Sequence, residues 1–374
     1  MNDSADRQYY DLAEKIKLYG KELGFADIGI SNLDLQKDKE FFEQWLNKKF
    51  NADMEYMSAN KSKRTSPSEL HPGTLSVITC RLNYFPANNN LENNFCNTQN
   101  GYISRYALGR DYHKVLKKKL KQLETFIRGE TENLGSRFFV DSAPVLERAL
   151  ARKSGIGWLG KNSMLIDTND GSFFFLGELF VNIPLPSCES ETESQCGNCS
   201  ACMKICPTTA IVSPYIIDSN KCISYQTIEN KGSIPVEIRP LIGNRIYGCD
   251  DCQLICPWNK KTELTKEKDF LPREQFLNQS LNNLFLWTEE EFLKNTEGTA
   301  IRRIGYERWI RNIAVAIGNS EKKEGTSELL KSKLGKISSM VDEHIDWAIK
   351  QQSSILPKTE RLRKYLKKIG YFTF

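Results

Sequence analysis

Eight of the eleven cysteines in this 374-residue chain fall between Cys196 and Cys256, in spacing that suits iron–sulfur chemistry. The first run reads Cys196-Gly-Asn-Cys199-Ser-Ala-Cys202-Met-Lys-Ile-Cys206-Pro207, and the second Cys249-Asp-Asp-Cys252-Gln-Leu-Ile-Cys256-Pro257. Cys222 stands alone between them. A [4Fe–4S] cube takes four thiolates, and in such runs the cysteine before proline reaches over to the other cluster. That rule assigns Cys196, Cys199, Cys202 and Cys256 to one cube. Cys206, Cys222, Cys249 and Cys252 then hold the other, with Cys222 supplying the thiolate that the shorter run lacks. Clusters of this kind pass electrons one at a time.

Two other uses of cysteine fit less well. Disulfides need an oxidising compartment, whereas Met1 to Lys17 is polar and mixed in charge, with no apolar stretch and no twin arginine to direct export. Zinc can use paired Cys-x-x-Cys units, but it does not explain three cysteines at that tight repeat or two runs closing on Cys-Pro. Cys80, Cys96 and Cys188 have no spacing partner and read as small, partly buried residues.

The chain is too long for a ferredoxin and long enough for two or three domains with cores. Its longest apolar run, Phe173 to Leu185, is interrupted by Glu178 and reads as a buried strand, too short to span a bilayer. A cytoplasmic protein without membrane contact is therefore expected. Helical stripes over Tyr10–Gly24 and Asp111–Arg128 mix with short strands at Phe25–Ile30, Leu75–Cys80 and Phe138–Asp141. A further helix is expected over about Pro144–Ser154, opening on the proline. The fold class is α+β. Residues 1–186 form the first unit, 187–261 the ferredoxin-like two-cluster module and 262–374 a helical unit, with Thr262 to Gln279 as a charged linker. From Thr299 to Phe374 there are 16 Lys/Arg against 8 Asp/Glu, although the net charge of the whole chain is only +5.

Gly155-Ile-Gly157-Trp-Leu-Gly160-Lys161-Asn162 matches a dinucleotide glycine pattern and most of a phosphate-binding loop. Both motifs need a strand before and a helix after, so that phosphate meets the helix N-terminus. Here a helix precedes and strand-like residues follow, and Asn162 stands where Ser or Thr would ligate magnesium. The glycines read instead as a helix stop and a close backbone approach to a large flat ligand.

With Asp141, Glu147-Arg148-Ala149, the glycine segment through Asn162 and the cluster runs ending Cys256-Pro257-Trp258-Asn259, the chain resembles the epoxyqueuosine reductase family. Arg64 with Pro67, Ser104-Arg105-Tyr106, Gly109-Arg110-Asp111-Tyr112-His113 and Cys222-Ile223-Ser224-Tyr225 belong to the same resemblance. It is strong from Arg64 to Asn259 and looser beyond. The resemblance implies reduction of epoxyqueuosine to queuosine at the wobble position of tRNA anticodons, with two [4Fe–4S] clusters and cobalamin as cofactors. Composition and spacing do not themselves point to cobalamin. The Asp-x-His-x-x-Gly signature is absent, since Lys114, Val115 and Leu116 follow His113; the family is understood to hold the cofactor without a protein histidine on cobalt.

By resemblance, the cobalamin pocket draws on Arg64, Ser104, Asp141, Leu165, Leu176, Ser224, Asp250 and Asp251. Without it, Leu165 and Leu176 read as core. Opening an epoxide to an alkene needs two electrons and a proton for the departing oxygen. A two-electron centre must then stand between the clusters and the substrate. Asp141, after apolar Phe138-Phe139-Val140, matches the family's proton donor, and burial is expected to raise its pKa. It could equally cap the helix before Pro144.

The basic C-terminal end suits an RNA partner. Ile301–Ile317, with Arg302, Arg303, Arg308 and Arg311 on its polar side, resembles one unit of a HEAT-like repeat. Lys358, Arg361, Arg363, Lys364, Lys367 and Lys368 form a second basic stripe. Such runs are also common on merely solvated faces. A monomer taking electrons from an external donor is expected. Two other functions compete: a cobalamin and iron–sulfur reductive dehalogenase, whose respiratory kind carries the twin-arginine signal, and a plain electron carrier, which would leave the first 186 residues without a task.

Anaerobically reconstituted protein should hold about eight irons, two cubes' worth. Replacing Cys222 should remove one cluster and leave the other, read by iron content and electron paramagnetic resonance. Four irons in the unaltered protein, or zinc in their place, would sink the assignment.

Overall fold

The computed structural model describes residues 3–86, 97–188 and 192–353. The first helix, α1 (Asp3–Glu22), leads into strand β1 (Asp27–Ser31) and helix α2 (Gln36–Asn47). Short helical turns then precede β2 (Ser76–Asn83) and β3 (Tyr102–Ile103). Helix α3 (Tyr112–Glu130) buries Val115, Leu116, Leu120, Leu123 and Ile127, the stripe its 3.6-residue period requires. Asp111 caps it, accepting from the His113 backbone N–H. Next come β4 (Ser136–Phe139), helix α4 (Glu147–Lys153), the hairpin of β5 (Trp158–Leu159) and β6 (Leu165–Ile166), and β7 (Phe174–Val181).

Strands β1, β2, β7 and β4 form, in that order, one antiparallel sheet. Alternation sorts its faces. Phe175, Leu179 and Val181 of β7 join the core under α1 and α3, while Phe180 joins Ala149 and Leu150 of α4 on the other side. Glu178 shares the α4 side by its place in the alternation and is completely buried.

Helix α4 begins at Glu147 rather than near Pro144, and Leu146 occupies its N-cap position. Asp141 is therefore not its cap. It sits in a left-handed turn at φ 51°, a conformation sparsely populated by non-glycine residues. After α4 the chain reverses at Gly155, φ 80°, and enters the β5–β6 hairpin, so helix precedes and strand follows the glycines. A Cβ on Gly157 would lie 2.3 Å from the Ile166 carbonyl oxygen. At Gly157 the close approach is to the partner strand of the hairpin.

The cysteine runs occupy short elements. The turn Ala201–Ile205 packs on the turn Asp251–Leu254, and β8 (Ile211–Ser213) pairs with β9 (Ile216–Ile217). Strand β10 (Arg245–Tyr247) runs parallel to β3 and joins this region to the first one.

Residues 262–279 are not a free linker. Phe270 and Phe276 are buried in two different cores, Thr265 N–H donates to the Phe85 carbonyl, and Arg110 N–H to that of Asp269. The aromatic anchors, with the Lys119–Glu267 and Arg110–Asp269 ion pairs, lay down the segment's path. Helices α5 (Leu281–Leu286), α6 (Glu289–Asn295), α7 (Gly305–Asn319), α8 (Thr326–Lys331) and α9 (Ser339–Ser353) follow. Their core is continuous with Ile103, Leu108, Ile223, Ile246 and Tyr247 of the earlier regions. Among the described residues no helix is long and apolar enough to cross a membrane.

The basic face expected on Ile301–Ile317 is only partly present. Arg302 and Arg303 are exposed and Arg308 half-buried. Arg311 is fully buried, donating to the carbonyls of Gln226, Asn230 and Gly232 and to the Asn312 side chain. Burial brings its pKa down to about 9. The arginine is a tie between α7 and the loop after Cys222. The second stripe, Lys358 to Lys368, lies outside the described residues.

Arg311→Met should cost about 3 kcal/mol or more, because several buried carbonyls would lose their donor. Exposed Arg302→Met should stay within about 0.5 kcal/mol. Chemical denaturation of the two variants checks the contrast.

Candidate functional site

A cavity of about 160 Å³ opens where the sheet meets the β5–β6 hairpin. Phe174 and Leu176 come from β7, Leu165 from β6, Tyr112 from α3, Glu147 from α4 and Asp141 from the turn after β4. Tyr112 stacks on Phe175, ring centroids 4.2 Å apart and ring planes nearly parallel. One side of the cavity is apolar and the other carries carboxyl groups.

Asp141 lines this space and its side chain is 56% exposed. Its Oδ2 accepts from the Tyr112 hydroxyl at 2.5 Å and lies 3.3 Å from His113 Nε2. His113 Nδ1 meets Asp111 Oδ1 at 2.9 Å, and the other Asp111 oxygen pairs with Arg303. Charges therefore alternate from Arg303 through Asp111 and His113 to Asp141. Burial alone would raise Asp111, but hydrogen bonds from His113 and Arg303 prevail and bring it to about 2. Burial would lower His113, yet its bonds to Asp111 and Asp141 leave it raised. For Asp141 burial pushes upward, and the bonds from His113 and Tyr112 outweigh it, so its pKa falls below the ordinary value. The raised Asp141 pKa expected from the sequence is not what the site produces, because burial came with partners that stabilise the anion.

The raised carboxyls stand behind it. Glu147 Oε1 accepts from the Asp141 backbone N–H at 2.5 Å. Burial first and the charge of Asp141 second push Glu147 up to about 8. Burial and then Glu147 push Glu178 well above the usual carboxylate range.

A second cavity, about 220 Å³, is lined by Cys196, Cys199, Cys202 and Cys256 together with Lys161, Asn162 and Trp258. Cys252 faces Cys222 and Cys206 instead, and Cys249 lies 3.3 Å from Asp251 Oδ1. Lys161 Nζ donates to the carbonyls of Gly197 and Cys199 at 2.6 and 2.9 Å, and Asn162 Nδ2 to that of Cys252 at 3.2 Å. The lysine of the apparent phosphate loop holds a cysteine loop.

Of the residues singled out for the cofactor pocket, Asp141, Leu165 and Leu176 line the first cavity. Arg64 is buried, donates to the Val145 carbonyl and keeps an unpartnered Nε. Its charge acts on Asp141 and Glu147. Ser104 and Asp250 are bonded to each other at 2.5 Å, Asp251 is paired with Arg245, and Ser224 precedes the helical turn Tyr225–Glu229, half-buried. None of these lines the cavity. Gln253, beside Cys252, reaches the cavity wall through Ser172, donating to its carbonyl and hydroxyl at 3.1 Å each.

Sequence reasoning missed Tyr112, Glu147 and Glu178 as site residues. The signal for Glu178 was available: a carboxyl in the middle of an apolar strand run has to be explained.

Residues 64–142 match the family model described as Epoxyqueuosine reductase QueG, DUF1730, and residues 195–259 match the 4Fe-4S double cluster binding domain. The epoxyqueuosine reductase of Escherichia coli is 52% identical over 366 residues, covering 96% of each chain. That of Bacillus subtilis, solved with its aspartate catalytic loop swung out of the active site, superposes at TM-score 0.83 with 28% identity, over 96% of this chain and 95% of that one. An epoxyqueuosine reductase solved with an epoxyqueuosine-modified tRNA-Tyr stem loop superposes at TM-score 0.78 with 26% identity, over 92% and 100%.

The raised His113 contributes stability that is complete below pH ~6.5 and is lost as pH rises through its folded value. Asp111 contributes above pH ~4 and loses it only on approaching about 2. Asp111→Asn should therefore destabilise more at pH 5 than at pH 8. Urea unfolding at the two pH values reads the difference, and an equal loss at both would remove His113 from the charge chain.

Proposed function

The chain belongs to the epoxyqueuosine reductase family, and we propose that the cavity at Asp141 is where it reduces epoxyqueuosine to queuosine at the tRNA wobble position. It is an oxidoreductase of tRNA modification carrying a double [4Fe–4S] binding domain. The observation that carries the finer reading is the convergence of Asp141, Tyr112 and Glu147, with His113 against Asp141, on one cavity whose wall touches the second cysteine run through Ser172 and Gln253.

Two clusters are proposed, on Cys196, Cys199, Cys202 and Cys256 and on Cys206, Cys222, Cys249 and Cys252. The first set lines one cavity and the thiols of Cys206, Cys222 and Cys252 face one another, which suits both assignments. The second cluster is then next to the substrate cavity, and electrons from an external donor would leave by the Cys252–Gln253 side.

Cobalamin fits the residues present. Leu165, Leu176 and Phe174 offer an apolar wall, and the buried Arg64, with an unpartnered Nε, stands outside that lining and acts on Asp141 and Glu147 through its charge. Asp141, Leu165 and Leu176 would hold the cobalamin directly, with Arg64 behind them. Ser104, Ser224, Asp250 and Asp251 would set the position of the neighbouring loops. Bound there, it supplies a two-electron centre between single-electron clusters and the epoxide.

Asp141 gives its proton to the departing epoxide oxygen. In the resting site it is the anionic partner of His113 and Tyr112, so it takes up a proton before it acts, and the alternating charges hold it in place. Tyr112, stacked on Phe175, keeps the carboxylate aimed into the cavity and keeps water off that side. The helical region, proposed to be HEAT-like, together with the basic residues from 358 to 368, would hold the RNA. The target base has to leave its stack to enter the cavity. Residues 1–186, 187–261 and 262–374 are proposed as the cofactor, cluster and RNA-binding units of a cytoplasmic monomer.

Incubating the reduced holoenzyme with epoxyqueuosine-containing tRNA should yield queuosine on nucleoside mass spectrometry; no conversion would overturn the reading. Asp141→Asn should still bind tRNA and cobalamin but lose turnover by roughly 10²–10⁴-fold, the scale of a general acid.

A further inference from the structure

Removing an epoxide oxygen as water consumes two electrons and two protons: both C–O bonds break, a C=C bond forms, and the oxygen leaves with both protons. Asp141 carries one proton at a time. Resting on the function proposed above, we propose that Glu147, backed by Glu178, delivers the second proton to the departing oxygen.

The argument begins at Glu178. It is completely buried on the α4 side of β7, two residues from cavity-lining Leu176. Neither of its oxygens receives a hydrogen bond from any described residue that carries a fixed donor. An ionised carboxylate in such a place is strongly disfavoured. Glu147 is the carboxyl that bears most on it, and two carboxyl groups can share a hydrogen bond only if at least one carries a proton. Glu147 in turn lines the cavity and is anchored by the Asp141 N–H.

The charges facing this pair come from every side. Asp141 approaches from the turn after β4, His113 and Tyr112 from α3, Arg64 from the turn before Pro67, Arg148 from α4 itself, and Cys80 from β2. The nearest of these to carry weight on both carboxyls is the anionic Asp141, which makes a further negative charge harder to place. Burial and Asp141 push Glu147 up to about 8, and burial and Glu147 push Glu178 well above the usual carboxylate range, so the pair enters at neutral pH with protons to give.

The steps balance. As the two electrons enter, the first C–O bond opens and Asp141 protonates its oxygen, which leaves a hydroxyl group on one carbon and the electron pair on the other. As the second C–O bond breaks and the alkene forms, the leaving oxygen takes the Glu147 proton and departs as water. The two electrons come from the one-electron donor through the clusters. Glu178 keeps its own proton and donates a hydrogen bond to the Glu147 carboxylate left behind, which makes it a positioning residue. Solvent restores the spent protons.

Infrared spectroscopy of the free protein tests the resting state without any substrate. A protonated-carboxyl C=O band should be present at pH 7, shrink as pH passes about 8 and be smaller in Glu147→Gln. In the holoenzyme, the pH–rate profile should fall on an alkaline limb near pH 8. Glu147→Gln keeps an acceptor for the Asp141 N–H but no proton, and should lose roughly 10²-fold in turnover together with that limb. Glu178→Gln can still donate to an ionised Glu147, as Glu178 does, so its rate at pH 6 should fall less than that of Glu147→Gln, whereas Glu178→Leu removes the donor and should move the limb to higher pH. A purely structural pair would lower the rate equally at every pH and leave the limb in place, which overturns the inference. So would absence of the infrared band, a result open even if a variant fails to fold. Failure of the unaltered enzyme to convert epoxyqueuosine would instead overturn the function, and the infrared result would stand apart from it.

Discussion

The arrangement depends first on how one buried carboxylate is satisfied. Asp250 lies between Cys249 and Cys252, 1% exposed, and accepts from the Tyr102 hydroxyl at 2.7 Å, the Ser104 hydroxyl at 2.5 Å and the Arg105 N–H at 2.8 Å. All three donors belong to the first region of the chain. A buried anion with three donors is costly to separate from them, so the second cysteine run is fixed against the sheet unit. Arg245 of β10 makes three hydrogen bonds to Asp251 at the start of the following helical turn and holds the second cysteine run to that strand. Lys161 and Asn162 bind the cysteine loops from the hairpin side. Cluster loops have little core of their own, and these polar ties to a packed sheet give them one position.

The same economy of buried charge shapes the cavity. Three carboxyls, those of Asp141, Glu147 and Glu178, crowd one corner, and they cannot all ionise there. The site resolves the conflict by position. Asp141 receives the donors, Tyr112 and His113, and stays low. Glu147 and Glu178 receive almost none and rise. Groups pushed apart in this way offer both a stabilised anion and a held proton within one cavity.

The chemistry that spacing can carry was legible in the sequence. The cysteine runs depend on local loop geometry, and the match to a double cluster domain over residues 195–259 agrees with them. So do the elements with strong periods: the buried face of α3 follows its stripe, and β7 lies within the apolar run. What failed depended on partners distant in sequence. Asp141 looked like a carboxyl raised by burial, but His113, 28 positions earlier in the chain, reverses the direction. Arg311 looked like a surface cation, and only the loop carbonyls more than seventy residues away make it a buried tie. Residues 262–279 looked like a linker because their charges outnumber Phe270 and Phe276, yet those two aromatic anchors, with the Lys119–Glu267 and Arg110–Asp269 ion pairs, lay the segment across two cores.

One constraint joins the proton chemistry to the backbone. Asp141 occupies a left-handed turn that an L-residue adopts at a cost, and its N–H is held by the carboxyl of Glu147. That hydrogen bond is stronger when Glu147 is ionised than when it is protonated. Release of the Glu147 proton would therefore tighten the turn that carries Asp141, and reprotonation would loosen it. Here the carboxyl that holds the turn and the carboxyl that keeps protons in reserve are the same group, so the charge state of the pair and the placement of Asp141 are coupled through a single 2.5 Å contact.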